Sequence, residues 1–355
     1  MIIIHDFFKY YGGGERLVIE LSKYFKENIY TSFKGKNFIK YNKIIFNKKF
    51  NWLFSISKYL FVSIFFILFM KLNNTDKNKV ILYSGNFSIL SILRLKKFGT
   101  KHILYIHSLP KRIFYNQYNI DVTFIESVFY RLLRIIFIFT YNKIYSNLDL
   151  IIFNSKFIQI NFTKYFNLNI KTEILYPFFD EKKFNINNEN NNNYFVFNSR
   201  HEKNKRIIDV LDFFSKNNNF NLYVTNNGSL TNHLLKKYSN FNNIFFKQLL
   251  SNEEYINILK NSKGVIMVPK KEDFGMSAIE SFACGKIVLA SKEGGLVEIF
   301  PQNYKYYINT DKFDESLKEN ILLINDNYTN TYFDEKYLSN FNFKNFSNQI
   351  KKLIY

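Results

Sequence analysis

Short apolar runs recur along the chain, separated by stretches in which apolar residues return every three or four positions. Ile2–Ile4, Val80–Tyr83, His102–Ile106 and Asp149–Phe153 make one set of runs. Tyr194–Phe197, Asn221–Val224, Asn243–Phe246, Val265–Val268 and Ile287–Ala290 make a second. Such runs predict strands buried on both faces. Between them, Arg16–Phe25, Arg206–Lys216 and Glu253–Asn261 carry helical apolar spacing. Strand–helix alternation predicts parallel sheets with covered faces, and two sets predict two doubly wound α/β domains.

The pattern breaks near Tyr176–Asn193, where Pro177 is followed by the polar run NINNENNNN, Asn185–Asn193. The expected division is therefore a first domain over 1–176, a second over 177–338 and a terminal segment over 339–355. In that last segment Asn340–Ile354 predicts an amphipathic helix, with Phe341, Phe346, Ile350 and Leu353 on or near one face. Two further stretches, LFVSIFFILFM (Leu60–Met70) and RLLRIIFIFTYNKIY (Arg131–Tyr145), are strongly apolar. Both fall short of the roughly 20 residues that a membrane span needs. They suit buried helices, or helices lying on a bilayer with basic residues toward the headgroups. Met1–Tyr11 reads as a strand and a loop rather than a secretory leader.

The chain has 355 residues, 47% of them hydrophobic, which is enough for two cores. Its formal charge of +20 bears on partners: anionic lipid, nucleic acid or phosphorylated small molecules. Much of the Lys excess accompanies an over-use of Asn, Ile, Phe and Tyr, as in AT-rich coding sequence. The Lys residues are dispersed, with no basic–aromatic stripe, so no nucleic-acid partner is expected. The single cysteine, Cys284, excludes an internal disulfide framework and suits a cytoplasmic setting.

Candidate chemistry gathers in four places. In KEDFGMSAIE, Glu272 and Glu280 stand eight residues apart, beyond a strand that Pro269 ends. A helix predicted from about Ser277 would turn its N–H groups and positive dipole end toward an anion. Glu272 in the loop and Glu280 one turn into the helix would then accept hydroxyls on either side of a phosphate, and Gly275 would admit close backbone approach. That arrangement suits a nucleotide sugar; the spacing alone fits a capped helix with a solvated glutamate equally well. In FNSRHEKNKR, Arg200 and Lys205 follow a strand end, where two cations can bind a diphosphate. The chain contains no Asp-x-Asp pair to hold a metal, so no metal and no cofactor are expected. The opening IIIHDFFKYYGGGERL puts Gly12, Gly13 and Gly14 between a strand and a helix, as a tight turn or a place of close ligand approach. In YIHSLP, His107 lies just past a strand, where ligands bind in open parallel sheets.

Together these motifs resemble the family 4, or group 1, glycosyltransferases. Glu272 and Glu280 match the family's E-x7-E motif, NSRHEKNKR its S-R-x-x-x-x-K segment, and IHDFFKYYGGGERL its G-G-A-E-R opening; FNSKF and LYP match in register. The resemblance covers Met1 to about Pro301 and is weaker between Lys34 and Lys79. It implies a GT-B fold, two Rossmann-like domains facing across a cleft, with acceptor in the first, nucleotide sugar in the second and the C-terminal helix of 339–355 packed back on the first. By position, Glu272 would bind the donor hexose, Glu280 the ribose, and Arg200 and Lys205 the diphosphate. Gly13 and Gly14 would line the donor phosphates, His107 would meet the sugar near its reacting carbon, and the N–H groups of Phe274, Gly275 and Met276 would help hold sugar or phosphate.

The resemblance further implies a metal-independent, retaining hexosyltransferase. The EDFG form with the HD opening looks most like bacterial O-antigen and polysaccharide mannosyltransferases, which implies GDP-mannose as donor and a lipid-linked or polysaccharide glycan as acceptor. The setting would be peripheral, at the inner face of an anionic membrane. Three places depart from the family pattern: Lys270 after Pro269, His201 after Arg200, and Lys286-Ile287-Val288, where the family often has a Pro before Val. The same fold also carries nucleotide-sugar epimerases and pyridoxal-dependent phosphorylases, which are the competing enzyme readings.

Overall fold

The computed structural model describes residues 1–9, 12–38, 40–41, 43–45, 62–72, 78–115, 123–185, 192–248, 250–326 and 334–355. The chain divides into two compact units. One comprises Met1–Pro177 with Phe346–Tyr355, and the other Phe178–Asn345.

The first unit is built on seven strands: β1 (Ile2–His5), β2 (Ile29–Thr31), β3 (Ile44–Ile45), β4 (Ile81–Ser84), β5 (His102–Ile106), β6 (Leu150–Phe153) and β7 (Lys171–Ile174). All neighbours are parallel, in the order β3-β2-β1-β4-β5-β6-β7. Ile4 pairs with Tyr83, Tyr83 with Leu104, and Leu104 with Ile151, so the apolar centre of each strand lies beside that of the next. β-branched residues suit this setting because their stiff side chains pack on a pleated surface. Burying each such side chain contributes about 1.5–3 kcal/mol.

The second unit carries β8 (Tyr194–Phe197), β9 (Asn221–Thr225), β10 (Ile244–Lys247), β11 (Gly264–Met267), β12 (Ile287–Ser291) and β13 (Tyr307–Ile308), also all parallel. Their order, β10-β9-β8-β11-β12-β13, runs outward from β8 in one direction and then from β11 in the other. The first sheet reverses in the same way between β1 and β4. Both units are thus doubly wound, as the apolar pattern predicts. Crevices at such reversals, beyond the carboxyl ends of the strands, are where ligands bind in this class of sheet.

Four strands carry no signal in the apolar pattern: β2, β3, β7 and β13. They lie at or next to sheet edges, and β7 (KTEI) is only partly buried. Helix boundaries shift slightly. The first helix is Gly13–Phe25, three residues longer than its apolar spacing indicates, because Glu15 caps it by accepting from the Gly12 N–H at 3.1 Å. Of the Leu60–Met70 stretch, Leu60 and Phe61 lie outside the described residues. The rest is a short helical turn running into a π-helix at Phe65–Phe69, with Val62, Phe65, Phe66 and Met70 in the core and Leu68 and Phe69 exposed. The Arg131–Tyr145 stretch is the larger part of a 22-residue helix, Phe124–Tyr145, opened by a Thr123–Glu126 capping box. No helix among the described residues is long and apolar enough to cross a membrane.

Candidate functional site

In the second unit the loops after β8, β11 and β12 meet where the strand order reverses. The loop after β8 is fixed from beneath by His201, which is fully buried: its Nδ1 pairs with the Thr231 hydroxyl at 2.9 Å and its Nε2 donates to the Thr225 carbonyl at 3.1 Å. Burial lowers the pKa of this imidazole, which suits a neutral, structural ring. Gly228 closes over it; a Cβ there would lie 2.4 Å from the His201 carbonyl oxygen. Glu202 accepts from both the N–H and the hydroxyl of Ser229. His201, the residue that departs from the family pattern, therefore anchors the loop that leaves Arg200 exposed beside it.

Lys205 sits on a 3-10 turn, Lys203–Lys205, and not in the first turn of the following helix as its place in the sequence suggests. Arg206, left-handed at φ 53°, separates that turn from the helix Ile207–Lys216. Its guanidinium donates to the Val268 carbonyl at 2.9 Å and to Glu293 at 2.6 Å, tying the loops after β8, β11 and β12 together. The Lys270 N–H donates to the Asn204 carbonyl at 2.8 Å, a second tie between the first two.

Glu272 is held on both sides. Its carbonyl accepts from the Gly295 N–H at 2.7 Å, and its carboxylate forms an ion pair with the Lys205 ammonium. Gly294, at φ 70°, lies so close that a Cβ would come within 2.4 Å of the Glu272 carbonyl oxygen. Gly294→Ala therefore combines a left-handed backbone with a clash against main chain. It is expected to cost about 1–3 kcal/mol, read as a fall in melting temperature, with no fall arguing that Gly294 does not shape this loop.

Gly275, at φ 109°, is the N-cap of the helix Met276–Ala283, and a Cβ on it would lie 2.8 Å from Leu296 Cδ1. The Phe274 ring is buried, its centroid 6.0 Å from that of Phe341. Glu280 is buried within the helix. Lys205 and Glu272 are thus in contact, with the Gly275–Met276 helix N-terminus following in the same loop, while Arg200 stands on the loop after β8 and Glu280 within the helix. Such a set can hold a diphosphate between hydroxyl-bearing groups.

In the first unit, His107 follows β5 and faces the start of the Gly13–Phe25 helix. A Cβ on Gly14 would stand 3.6 Å from the imidazole, so Gly14 leaves the ring room and Gly13 begins the helix beside it. His107 Nε2 pairs with the Ser84 hydroxyl at 2.7 Å, and that hydroxyl pairs with His5 Nδ1 at 3.1 Å. Burial pulls His107 down to about 4 and His5, also beside His107, down to about 3. Next to them Asp6 accepts from the N–H groups of Asn86, Phe87 and Ser88 at 2.6–3.0 Å. Burial pushes its carboxyl up to about 6 against those three donors. At neutral pH this cluster holds two neutral imidazoles and one clasped carboxylate.

Sequence reasoning passes over His5, Asp6 as a carboxylate clasp, Ser84, Arg206, Gly228, Glu293 and the Gly294–Gly295 pair. The adjacent glycines of KEGGLVE are the one available signal among them. The others act through partners many positions away.

Two doubly wound parallel domains are the architecture of the GT-B class of fold. Residues 178–337 match the family model of the glycosyl transferases group 1. The chain is similar to the uncharacterized glycosyltransferase MJ1178 of Methanocaldococcus jannaschii, 30% identical over 187 residues, and spans about half the length of that relative: 51% of each chain is covered. Among solved structures it is similar to Alr3699/HepE of Anabaena in complex with UDP-glucose, with a TM-score of 0.74 at 14% identity over 99% of this chain and 98% of that one. It is also similar to sucrose-phosphate synthase of Thermosynechococcus elongatus, with a TM-score of 0.73 at 15% identity over 99% and 97%.

Proposed function

We propose that the protein is a retaining glycosyltransferase that moves a hexose from a nucleotide diphosphate sugar to a lipid-linked or polysaccharide glycan. The observation that carries this reading is the Lys205–Glu272 ion pair, set beside the Gly275 helix N-terminus where the sheet order reverses. The match of residues 178–337 to group 1 glycosyl transferases supports it. In this reading Arg200 and Lys205 hold the diphosphate, Glu272 the hexose and Glu280 the ribose. The N–H groups of Phe274, Gly275 and Met276 meet sugar or phosphate. In the first unit, His107 is the group assigned to the sugar, and Gly13 and Gly14 to the phosphates.

No carboxylate in this set is assigned as a nucleophile. The acceptor hydroxyl attacks on the face the diphosphate leaves, and the leaving phosphate takes its proton. Arg200 and Lys205 stabilise the charge that grows on that phosphate, so the transfer needs no metal. The reaction belongs at the inner face of a membrane that carries the acceptor. For the donor, the EDFG form favours GDP-mannose, while the UDP-glucose bound to the similar HepE structure makes UDP-glucose the competing choice.

The test is a thermal-shift screen across GDP, UDP and ADP sugars, followed by product analysis with the best donor. A ligand at a hundred times its Kd stabilises the native state by about 2.7 kcal/mol, so the matching sugar nucleotide should raise the melting temperature and give a product with retained anomeric configuration. No shift with any sugar nucleotide, or an inverted product, would sink the reading.

A further inference from the structure

The helix Phe124–Tyr145 has two apolar faces, and only one is covered. Tyr141, Ile144 and Tyr145 are buried in the first unit's core, and Phe137 stacks on Tyr141 at 3.7 Å. On the other side, Phe124 is 83% exposed, Ile135 64% and Phe139 66%, and Ile125, Val128, Phe129, Leu132 and Ile136 are exposed with them. At about 100° per residue, these eight side chains fall within roughly 140° of arc, centred opposite the buried face. They run about 23 Å along the axis at 1.5 Å per residue. A helix that is apolar on all sides is normally enclosed, and large exposed apolar stripes mark interaction surfaces. This stripe therefore needs an occupant.

We infer that the exposed stripe of Phe124–Phe139 docks onto an anionic lipid bilayer, with the helix lying in the plane of the interface. Two observations select this occupant. The first is charge: Arg131 borders the stripe, and Lys143 closes it with its ammonium 4.6 Å from the Phe139 ring, the aliphatic stem along the apolar surface and the charge at its end. That is how a lysine behaves at a membrane surface. A second copy of the chain would instead bring together two molecules that each carry +20. The second is composition: the eight exposed side chains are Phe, Ile, Leu and Val, with no hydrogen-bonding group among them to select a protein partner. The inference stands apart from sugar transfer, because lipid binding needs no nucleotide.

The experiment is co-sedimentation of the full chain with vesicles of phosphatidylcholine alone and of phosphatidylcholine with phosphatidylglycerol, at low and high salt, with no sugar nucleotide present. Binding to the anionic vesicles is expected, at least tenfold stronger than to the neutral ones and weakened by salt. Phe129→Glu with Ile136→Glu should abolish it, and Arg131→Gln with Lys143→Gln should remove most of the preference for anionic lipid. Each variant's melting temperature should match the parent, since these side chains are exposed. Equal binding by the glutamate variant, or no binding by the parent, overturns the inference. So does a dimer in light scattering that the glutamate variant converts to a monomer, which would assign the stripe to a second copy.

Discussion

Lys205→Ala is expected to lower turnover by about 10²–10³-fold, the loss of roughly 2.7–4 kcal/mol that removal of one preorganised charge contact typically brings. The size follows from the surroundings. Lys205 is 8% exposed and paired with Glu272. A cation in such a site acts on developing charge without the screening that water gives an exposed one. Arg200 is exposed, so Arg200→Ala should act in the same direction with a smaller loss. In both variants turnover should fall far more than donor affinity explains, because in the proposed transfer charge grows on the leaving phosphate in the transition state.

Glu272→Ala differs in kind. It leaves an almost buried ammonium without its carboxylate, which costs about 3–5 kcal/mol of stability in comparable pairs. The Lys205→Ala, Glu272→Ala double variant should recover part of that loss, as coupled neighbours do. Glu280→Ala should act mainly on donor binding. Steady-state kinetics of these variants with and without a chelator, beside their melting curves, separate the effects. Near-normal turnover in both cation variants, or abolition of parent activity by the chelator, would exclude the mechanism.

The second large effect is acid lability. His5 and His107 are held neutral, pulled to about 3 and about 4 from 6.5, so below pH 6.5 the unfolded chain takes up two protons that the folded one refuses. Their contribution to stability is present above pH 6.5 and lost as pH falls toward those values. Asp6 works the other way: raised to about 6 from 3.8, it favours the folded state at low pH and loses that contribution as pH rises through 6. Between pH 6 and 4 the balance is two protons against one. One net proton corresponds to about 1.4 kcal/mol per pH unit, or about 2.7 kcal/mol across the window. His107→Asn should bring the opposing contributions level and flatten the slope relative to the parent. Urea denaturation from pH 7 to 4 measures both, and identical slopes would refute the assignment.

The central strands were readable because burial on both faces leaves an uninterrupted apolar run, as in HILYI and IVLAS. β2, β3, β7 and β13 were not, because an edge strand needs apolar cover on fewer sides and can be as short as Tyr307–Ile308. In the site, Glu272 and Lys205 each stand out locally, after a strand and near a glycine or a turn. Their contact does not, since 67 positions separate them and the parallel β8–β11 pairing brings them together. His201 stood out only as a departure from pattern, and its meaning lies in Thr225, Gly228 and Thr231, three partners on another loop. Ser84 and His5 are silent for the same reason: each is an ordinary residue at a strand end until the sheet sets β1, β4 and β5 side by side.

Several ties among the loops of the second unit are made by main-chain atoms: Lys270 N–H to Asn204, Gly295 N–H to Glu272, and Gly228 against the His201 carbonyl. These ties do not depend on which side chains stand at the exposed positions of the loops. Positions such as Lys270 and Lys271 can be varied while the backbone that presents them keeps its shape. A library restricted to those two positions is the natural starting point for changing which ligand the loop accepts.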